Sequence, residues 1–272
     1  MKAYAQGESE PQLIEETIGA NFERTAARFG PAEALVEAST GRRWSWSELD
    51  AQINRLAKGL LAAGLQAGDR VGIWAPNCAE WVFAQYATAK IGVILVNVNP
   101  AYRTHEYAYA VNHSGVRLLL AVSEFKTSNY RAMVDATRAD TPQLERVIYV
   151  DTADFEQLLA EGEHISDEEL ARCLAATKPE DPINIQYTSG TTGYPKGAVL
   201  SHRNILNNGY QVTGMIDLDE HDRLCIPVPF YHCFGMVMGN LGCTSRGTTI
   251  VIPAPGFDAE TTLRVVAEEK CT

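Results

Sequence analysis

The stretch from Arg70 to Val96, RVGIWAPNCAEWVFAQYATAKIGVILV, decides the fold. Arg70 to Trp74 is a short apolar run of strand length, Pro76-Asn77 marks a turn, and Ala79 to Ile91 continues as a helical stretch closed by Gly92. Asn77 with Glu80 three residues later predicts an N-cap pairing at the start of that helix. Val93-Ile-Leu-Val96 is apolar on both faces, as a parallel strand covered by helices on both sides must be. Strand, helix and strand together make a βαβ unit.

The alternation extends outward. Arg117 to Val122 reads as strand, Asn129 to Thr137 as helix and Arg146 to Val150 as strand, followed by two acidic helical pieces. Ser166 and Glu169 fit a capping box that opens the second, which runs to about Thr177 before Pro179 stops it. After Pro182, Ile183 to Tyr187 predicts another buried strand, then a Gly/Thr-rich loop, Ala198 to Leu200, and a helix capped by Ser201. Further on, Arg223 to Val228 and Thr248 to Ile252 read as strands, with a helical stretch after His232 and a last helix capped by Asp258. The fold class is therefore α/β, with repeated βαβ units and largely parallel sheets flanked by helices. A crossover helix ending at Cys271-Thr272 without its second strand is expected to leave an apolar face and a sheet edge uncovered, so the sequence is read as stopping inside a domain. Such an edge predicts dimerisation, as a homodimer, or aggregation.

Composition narrows the function classes. The 272 residues are 46% apolar, enough for a buried core. A formal net charge of -11 without any basic run argues against a nucleic-acid or anionic-membrane surface, so an anionic ligand must be held by local groups. The six cysteines (Cys78, Cys173, Cys225, Cys233, Cys243, Cys271) form no C-x-x-C pair, which disfavours a zinc knuckle or thioredoxin-type site and reads as reduced and mostly buried thiols. Met1 to Glu10 is polar and acidic, no run approaches the ~18 apolar residues of a transmembrane span, and a cytoplasmic location is expected.

The chemistry sits in Tyr187-Thr-Ser-Gly-Thr-Thr-Gly-Tyr-Pro-Lys-Gly197, directly after a buried strand, where α/β folds place ligand-binding turns. Gly190, Gly193 and Gly197 let backbone N–H groups approach an anion, Thr188, Ser189, Thr191 and Thr192 add hydroxyl donors, and Lys196 adds a mobile positive charge. The combination fits a polyphosphate better than a solvated turn. It is not a Walker A loop, because Pro195 precedes Lys196 and Gly197 follows it, leaving no adjacent hydroxyl for magnesium.

This loop resembles the signature of the adenylate-forming superfamily, which includes acyl-CoA synthetases, luciferases and the adenylation domains of peptide synthetases. The resemblance extends to Trp44-Ser-Trp-Ser-Glu-Leu49, Gly68-Asp-Arg-Val71, Asn99-Pro-Ala-Tyr102, His113-Ser-Gly115, Ser201-His-Arg-Asn204 and Pro229-Phe-Tyr-His-Cys-Phe-Gly235. It implies that Thr188, Ser189, Gly190, Thr191, Thr192, Gly193, Tyr194, Pro195 and Lys196 wrap the β- and γ-phosphates of ATP, with Thr188 a magnesium contact. His232 falls in the second nucleotide motif, near the α-phosphate and the acyl carbonyl, with Tyr231 and Phe234 on the acyl side and Lys196 and His232 as the catalytic pair. A histidine capping a strand end in the core is the plain alternative for His232. Gly235, Met236, Met238, Gly239 and Gly242 fit an acyl tunnel wall or ordinary helix packing equally well. Trp44, Trp46, Trp74, Trp81 and Tyr187 read as packing, and Cys233 as a pocket-wall or buried residue.

The resemblance implies the incomplete N-terminal part of an AMP-binding domain, with about residues 68–215 as one α/β subdomain and 1–67 and 216–272 as parts of a second. The later family motifs for adenine, ribose, the hinge and the C-terminal lysine are not recognisable after Asp258, and the chain is expected to be inactive alone. For a complete relative the implied reaction joins a small-molecule carboxylic acid, medium- or long-chain fatty by the pattern of Asn99-Pro-Ala-Tyr102 and Pro229-Phe-Tyr-His232, to ATP. The products are acyl-adenylate and pyrophosphate, and CoA then captures the acyl group. An amino-acid adenylation domain and a catalytically incomplete nucleotide-binding fragment are the alternatives.

Overall fold

The computed structural model describes residues 12–188 and 195–272. The chain opens with α1 (Ile18–Phe29), the strands β1 (Glu33–Glu37) and β2 (Arg42–Ser45), and α2 (Trp46–Ala62). The alternating part follows as β3 (Arg70–Trp74), α3 (Ala79–Lys90), β4 (Ile94–Asn97), α4 (Thr104–Ser114) and β5 (Leu118–Ala121). A two-stranded hairpin, β6 (Glu124–Phe125) with β7 (Ser128–Asn129), leads into α5 (Tyr130–Ala136), β8 (Arg146–Tyr149), α6 (Ala153–Glu161) and α7 (Asp167–Ala176). The remainder comprises β9 (Pro182–Thr188), β10 (Lys196–Ser201), α8 (His202–Met215), β11 (Arg223–Cys225), a π-helix over Phe234–Leu241, α9 (Gly242–Arg246), β12 (Thr249–Ile252) and α10 (Ala259–Glu268).

Two sheets carry the fold. One has the order β10-β9-β4-β3-β5-β8, the other β11-β12-β1-β2. Within the first, β8, β5, β3, β4 and β9 run parallel, and β10 closes the edge antiparallel to β9. The antiparallel pair departs from the βαβ rule because the Gly/Thr-rich loop is too short for a crossover and can only join hairpin partners. In the second sheet β12 pairs parallel with both β1 and β11. The expected strands are present, each within two residues of its predicted ends except Arg223 to Val228, which stops at Cys225 because Pro227 and Pro229 lack ladder donors.

Every residue of helix α3 from Ala79 to Lys90 is buried, so it carries no amphipathic stripe. Its start corrects the expected cap. Cys78 occupies the N-cap position without a side-chain hydrogen bond, and the orphan N–H of Ala79 donates instead to Glu37 Oε1 on β1, at 3.0 Å. Asn77 is thereby released for a different task, described below. Glu80, the expected partner of Asn77, pairs with Arg42 on β2 at 2.6 Å. Gly92 ends the helix with φ 69°, a left-handed turn that favours glycine.

Other expected caps form. Ser201 makes a reciprocal capping box with Asn204, whereas Ser166 accepts from the Glu169 N–H at 3.1 Å without the return bond that would complete the expected box. Trp46, Trp74 and Trp81 are fully buried, Trp74 lying between the rings of Tyr107 and Tyr130. All six cysteines are free thiols, but only Cys243 is buried and the other five are half-buried, which corrects the expectation that most would lie in the core. No helix among the described residues is long and apolar enough to cross a membrane.

Candidate functional site

Strand β9 ends at Thr188 and β10 begins at Lys196, and these two residues face one another in the antiparallel register. Both are exposed at the open end of the hairpin. Ser189, Gly190, Thr191, Thr192, Gly193 and Tyr194 lie outside the described residues. Pro195 is held from the side, its carbonyl accepting from the Tyr109 hydroxyl at 3.1 Å. Tyr187, one residue before Thr188, donates its hydroxyl to Ala110 O at 3.1 Å and meets His113 Nδ1 at 3.0 Å. Burial pushes that phenol up to about 12, and its hydrogen bond ties β9 to α4.

His232 is exposed, which sets aside the core-histidine alternative. Its Nδ1 accepts from the Phe234 N–H at 3.1 Å, so the neutral ring carries its hydrogen on Nε2. The carbonyl of His232 accepts from Gly235 N at 3.0 Å and Met236 N at 3.1 Å, opening the π-helix. A Cβ at position 235 would overlap the carbonyl of Pro229, so glycine is required for the turn that carries the histidine. Phe234 is exposed beside it, Tyr231 and Cys233 are half-buried, and Met236 is buried. Met236 and Gly239 pack inward, Gly239 against Ile226, which for these two positions favours packing over a tunnel wall. Gly242 likewise lies against Thr213 of α8.

The residues that seat this segment were not picked out from the sequence. Asn77 Nδ2 donates to Val228 O at 2.9 Å and its Oδ1 accepts from Phe230 N at 2.8 Å, so the residue expected to cap α3 grips the proline-broken chain after β11. Asn97 Nδ2 and Gln186 Nε2 both donate to Tyr231 O, at 3.1 and 2.7 Å. Gln85 Nε2 donates to Met236 O at 3.1 Å. The one available signal was polar residues interrupting apolar strand and helix runs, as in Ile94-Leu-Val-Asn97 and Ile183-Asn-Ile-Gln186. A buried carboxamide without partners costs roughly 1–3 kcal/mol, so each implies something to hold.

Beside this segment lies a cavity of about 350 Å³. Its walls are residues that follow β3 (Pro76, Asn77), β4 (Asn99, Pro100), β5 (Phe125 to Ser128), β11 (Pro227, Pro229, Tyr231) and β12 (Pro255 to Phe257). Since β4 and β5 flank β3 on opposite sides, this is the point where the strand order reverses, the crevice in which open α/β sheets take their ligands. Asn99 shapes the wall: its carbonyl accepts from Trp74 Nε1 at 3.0 Å and its Oδ1 from Ala101 N at 2.9 Å. Arg103 supplies a positive charge at the rim and is steadied by Ser128 Oγ at 2.6 Å.

Residues 22–272 match the family described as AMP-binding enzyme. This chain belongs to that family. It is 38% identical over 291 aligned positions to a medium-chain acyl-CoA ligase (ACSF2, mitochondrial) of Danio rerio, covering 99% of this chain and 48% of the relative. It is 35% identical to the acyl-CoA ligase SID4 of Ajellomyces capsulatus, again over 99% of this chain and 48% of the relative. Among solved structures, a fatty acyl CoA synthetase of Mycobacterium tuberculosis superposes with a TM-score of 0.80 at 26% identity, over 94% of this chain and 48% of that one. The AMP-binding chain described here thus spans about half the length of the curated relatives it matches, and its α/β fold is that of their N-terminal portion.

Proposed function

We propose that this chain is the phosphate-gripping portion of an ATP-dependent ligase that activates a carboxylic acid, most simply a medium- or long-chain fatty acid, as its acyl-adenylate before transfer to CoA. The observation that carries the reading is the pairing of Thr188 with Lys196 at the mouth of the hairpin while Gln186, on the same strand, holds the peptide that leads to His232. One strand thereby addresses both ends of a triphosphate. The carboxylic relatives named above favour a fatty substrate over an amino acid.

In this reading Thr188, Ser189, Gly190, Thr191, Thr192, Gly193, Tyr194, Pro195 and Lys196 surround the β- and γ-phosphates. A carboxylate oxygen attacks the α-phosphorus, the bond to the bridging oxygen breaks, and its electron pair leaves with pyrophosphate. The Lys196 ammonium and the loop's donors face the charge that develops there, which lowers the barrier. His232 offers an Nε2–H, oriented by the Nδ1 bond, to an α-phosphate oxygen or the acyl carbonyl. The hydroxyl of Thr188 would hold a magnesium ion brought in with the polyphosphate, and the ion would supply positive charge against the charge that develops on the leaving pyrophosphate. CoA then attacks the acyl carbonyl through its thiol and AMP leaves.

The same reading divides the chain into a subdomain over about 68–215 and parts of a second over 1–67 and 216–272, supported by the residence of β3 to β10 in one sheet and of β1, β2, β11 and β12 in the other, apart from the β6–β7 hairpin. A cytoplasmic location is proposed, and the six free thiols suit its reducing conditions. A homodimer through the apolar face left open on the last helix, α10, is supported by Leu263, which is 72% exposed there.

Calorimetric titration of the folded chain with MgATP tests the assignment. Binding that weakens by about tenfold or more in Lys196→Ala, with unchanged thermal stability, is expected for a mobile cation on phosphate. A folded chain with equal affinity in both forms would refute it. Acid-dependent ATP–pyrophosphate exchange across acids of increasing length then names the substrate class.

A further inference from the structure

The carbonyl of Tyr231 and the N–H of His232 belong to one peptide plane, and both edges of that plane are tied. The carbonyl accepts from Gln186 Nε2 at 2.7 Å and Asn97 Nδ2 at 3.1 Å, while the His232 N–H donates to Pro229 O at 3.2 Å. A planar peptide fixed on two sides leaves the histidine little freedom except about its own side-chain torsions. Asn97 and Gln186 face one another in the β4/β9 register. Asn97 is in turn braced, its Oδ1 accepting from Asn184 Nδ2 at 2.8 Å, and Asn184 also donates to Leu95 O at 2.9 Å. Three carboxamides with 2 to 7% exposure at the middle of a sheet are costly unless their hydrogen bonds are used.

Strand alternation puts Asn184, Gln186 and Thr188 on one face of β9. The residue that holds the His232 peptide is therefore two positions from the residue that opens the phosphate loop. We propose that Gln186, with Asn97 beside it, is the positioning residue that sets His232 relative to the phosphate loop, by donating hydrogen bonds to the carbonyl of Tyr231. The assignment rests on the functional reading above, in which His232 and the loop act on one nucleotide. Gln186 itself touches no phosphate in this scheme; it acts through the peptide it holds.

A role in packing requires the volume of Gln186, whereas this role requires its N–H. Gln186→Met keeps the volume and removes the donor, and Gln186→Glu replaces the donor with a carboxylate that repels the carbonyl until it is protonated. In the 272-residue chain without nucleotide, hydrogen exchange at Gly235 and Met236, whose amides bond to His232 O, is expected to quicken about tenfold in both variants, the equivalent of one hydrogen bond. Exchange in β3 and β5 should not change. In Gln186→Glu the slow exchange should return on acidification, a rescue that a packing role does not give. On adding MgATP, the His232 ring resonances should move in the wild type and fail to move in Gln186→Met, with affinity changed less than about threefold.

Unchanged exchange and unchanged His232 resonances in both variants would overturn the proposal. If Gln186→Met does not fold, Asn97→Ala, which has no side-chain donor, removes the second hydrogen bond to Tyr231 O and is read the same way. A wild type that binds no MgATP would refute the phosphate-loop reading alone, and the nucleotide-free exchange would still decide the positioning role.

Discussion

Acidification through the histidine range should destabilise this protein through His202. The side chain is fully buried at the start of α8, and its Nδ1 accepts from the Ile18 N–H at the start of α1 at 3.1 Å. That bond uses the lone pair that protonation would take, and burial opposes the charged form. Burial pushes the histidine down from 6.5 to about 4, with nearby Asp181 a partial offset. Because the folded value lies below the unfolded one, the unfolded state binds the proton first. The contribution is whole above pH 6.5 and is lost as the pH falls from 6.5 towards 4. The full loss is about 3 kcal/mol, and about 2 kcal/mol is already gone at pH 5. Urea unfolding followed by tryptophan fluorescence, at steps from pH 7.5 to 5.0, compares the wild type with His202→Gln, which cannot titrate and can still accept from Ile18. Carboxylates titrate alike in both, so the difference in slope isolates the histidine. The wild type should lose about 2 kcal/mol more than the variant over that interval. Parallel pH profiles would refute the reasoning, because His202 would then be charged in the native state or accessible to water.

Glu37→Ala should destabilise by about 2 kcal/mol, since it strips the Ala79 N–H of its acceptor and Arg42 of a partner; the estimate is held below the value for a fully buried pair because the Arg42 side chain is 41% exposed. Urea midpoints at pH 7 check it, and a loss below about 0.5 kcal/mol would mean that α3 does not depend on β1 for its cap. Gly235→Ala forces a Cβ against the carbonyl of Pro229, so the His232 turn must shift. A stability loss of about 1–3 kcal/mol together with weakened MgATP binding is expected, and a variant normal in both measurements would contradict the close approach.

The α/β class and the phosphate loop were legible because both depend on local pattern. A run such as Val93-Ile-Leu-Val96 cannot be solvated on either face, and a loop of glycines, hydroxyls and one lysine after Tyr187 suits an anion wherever the strand lies. The N-terminal helices and strands went unassigned although α1 and α2 are both amphipathic and α2 opens on a Ser45–Glu48 capping box, so these two helices were legible from local pattern as well.

What only the tertiary structure decided is how distant polar residues are spent. Asn77 and Glu80 satisfied the local spacing of a cap, yet Asn77 bonds to Val228 and Phe230 some 150 positions away, on a segment where Pro227 and Pro229 interrupt the strand ladder. The cap passed to Glu37, from the other sheet. Asn97 and Gln186 look like interruptions in two apolar strands until the register sets them side by side beneath Tyr231. Sequence determines which segments must be buried and which loop can hold an anion, because those follow from neighbouring residues. Which carboxamide meets which carbonyl follows from strand order and register, and those exist only once the sheets have assembled.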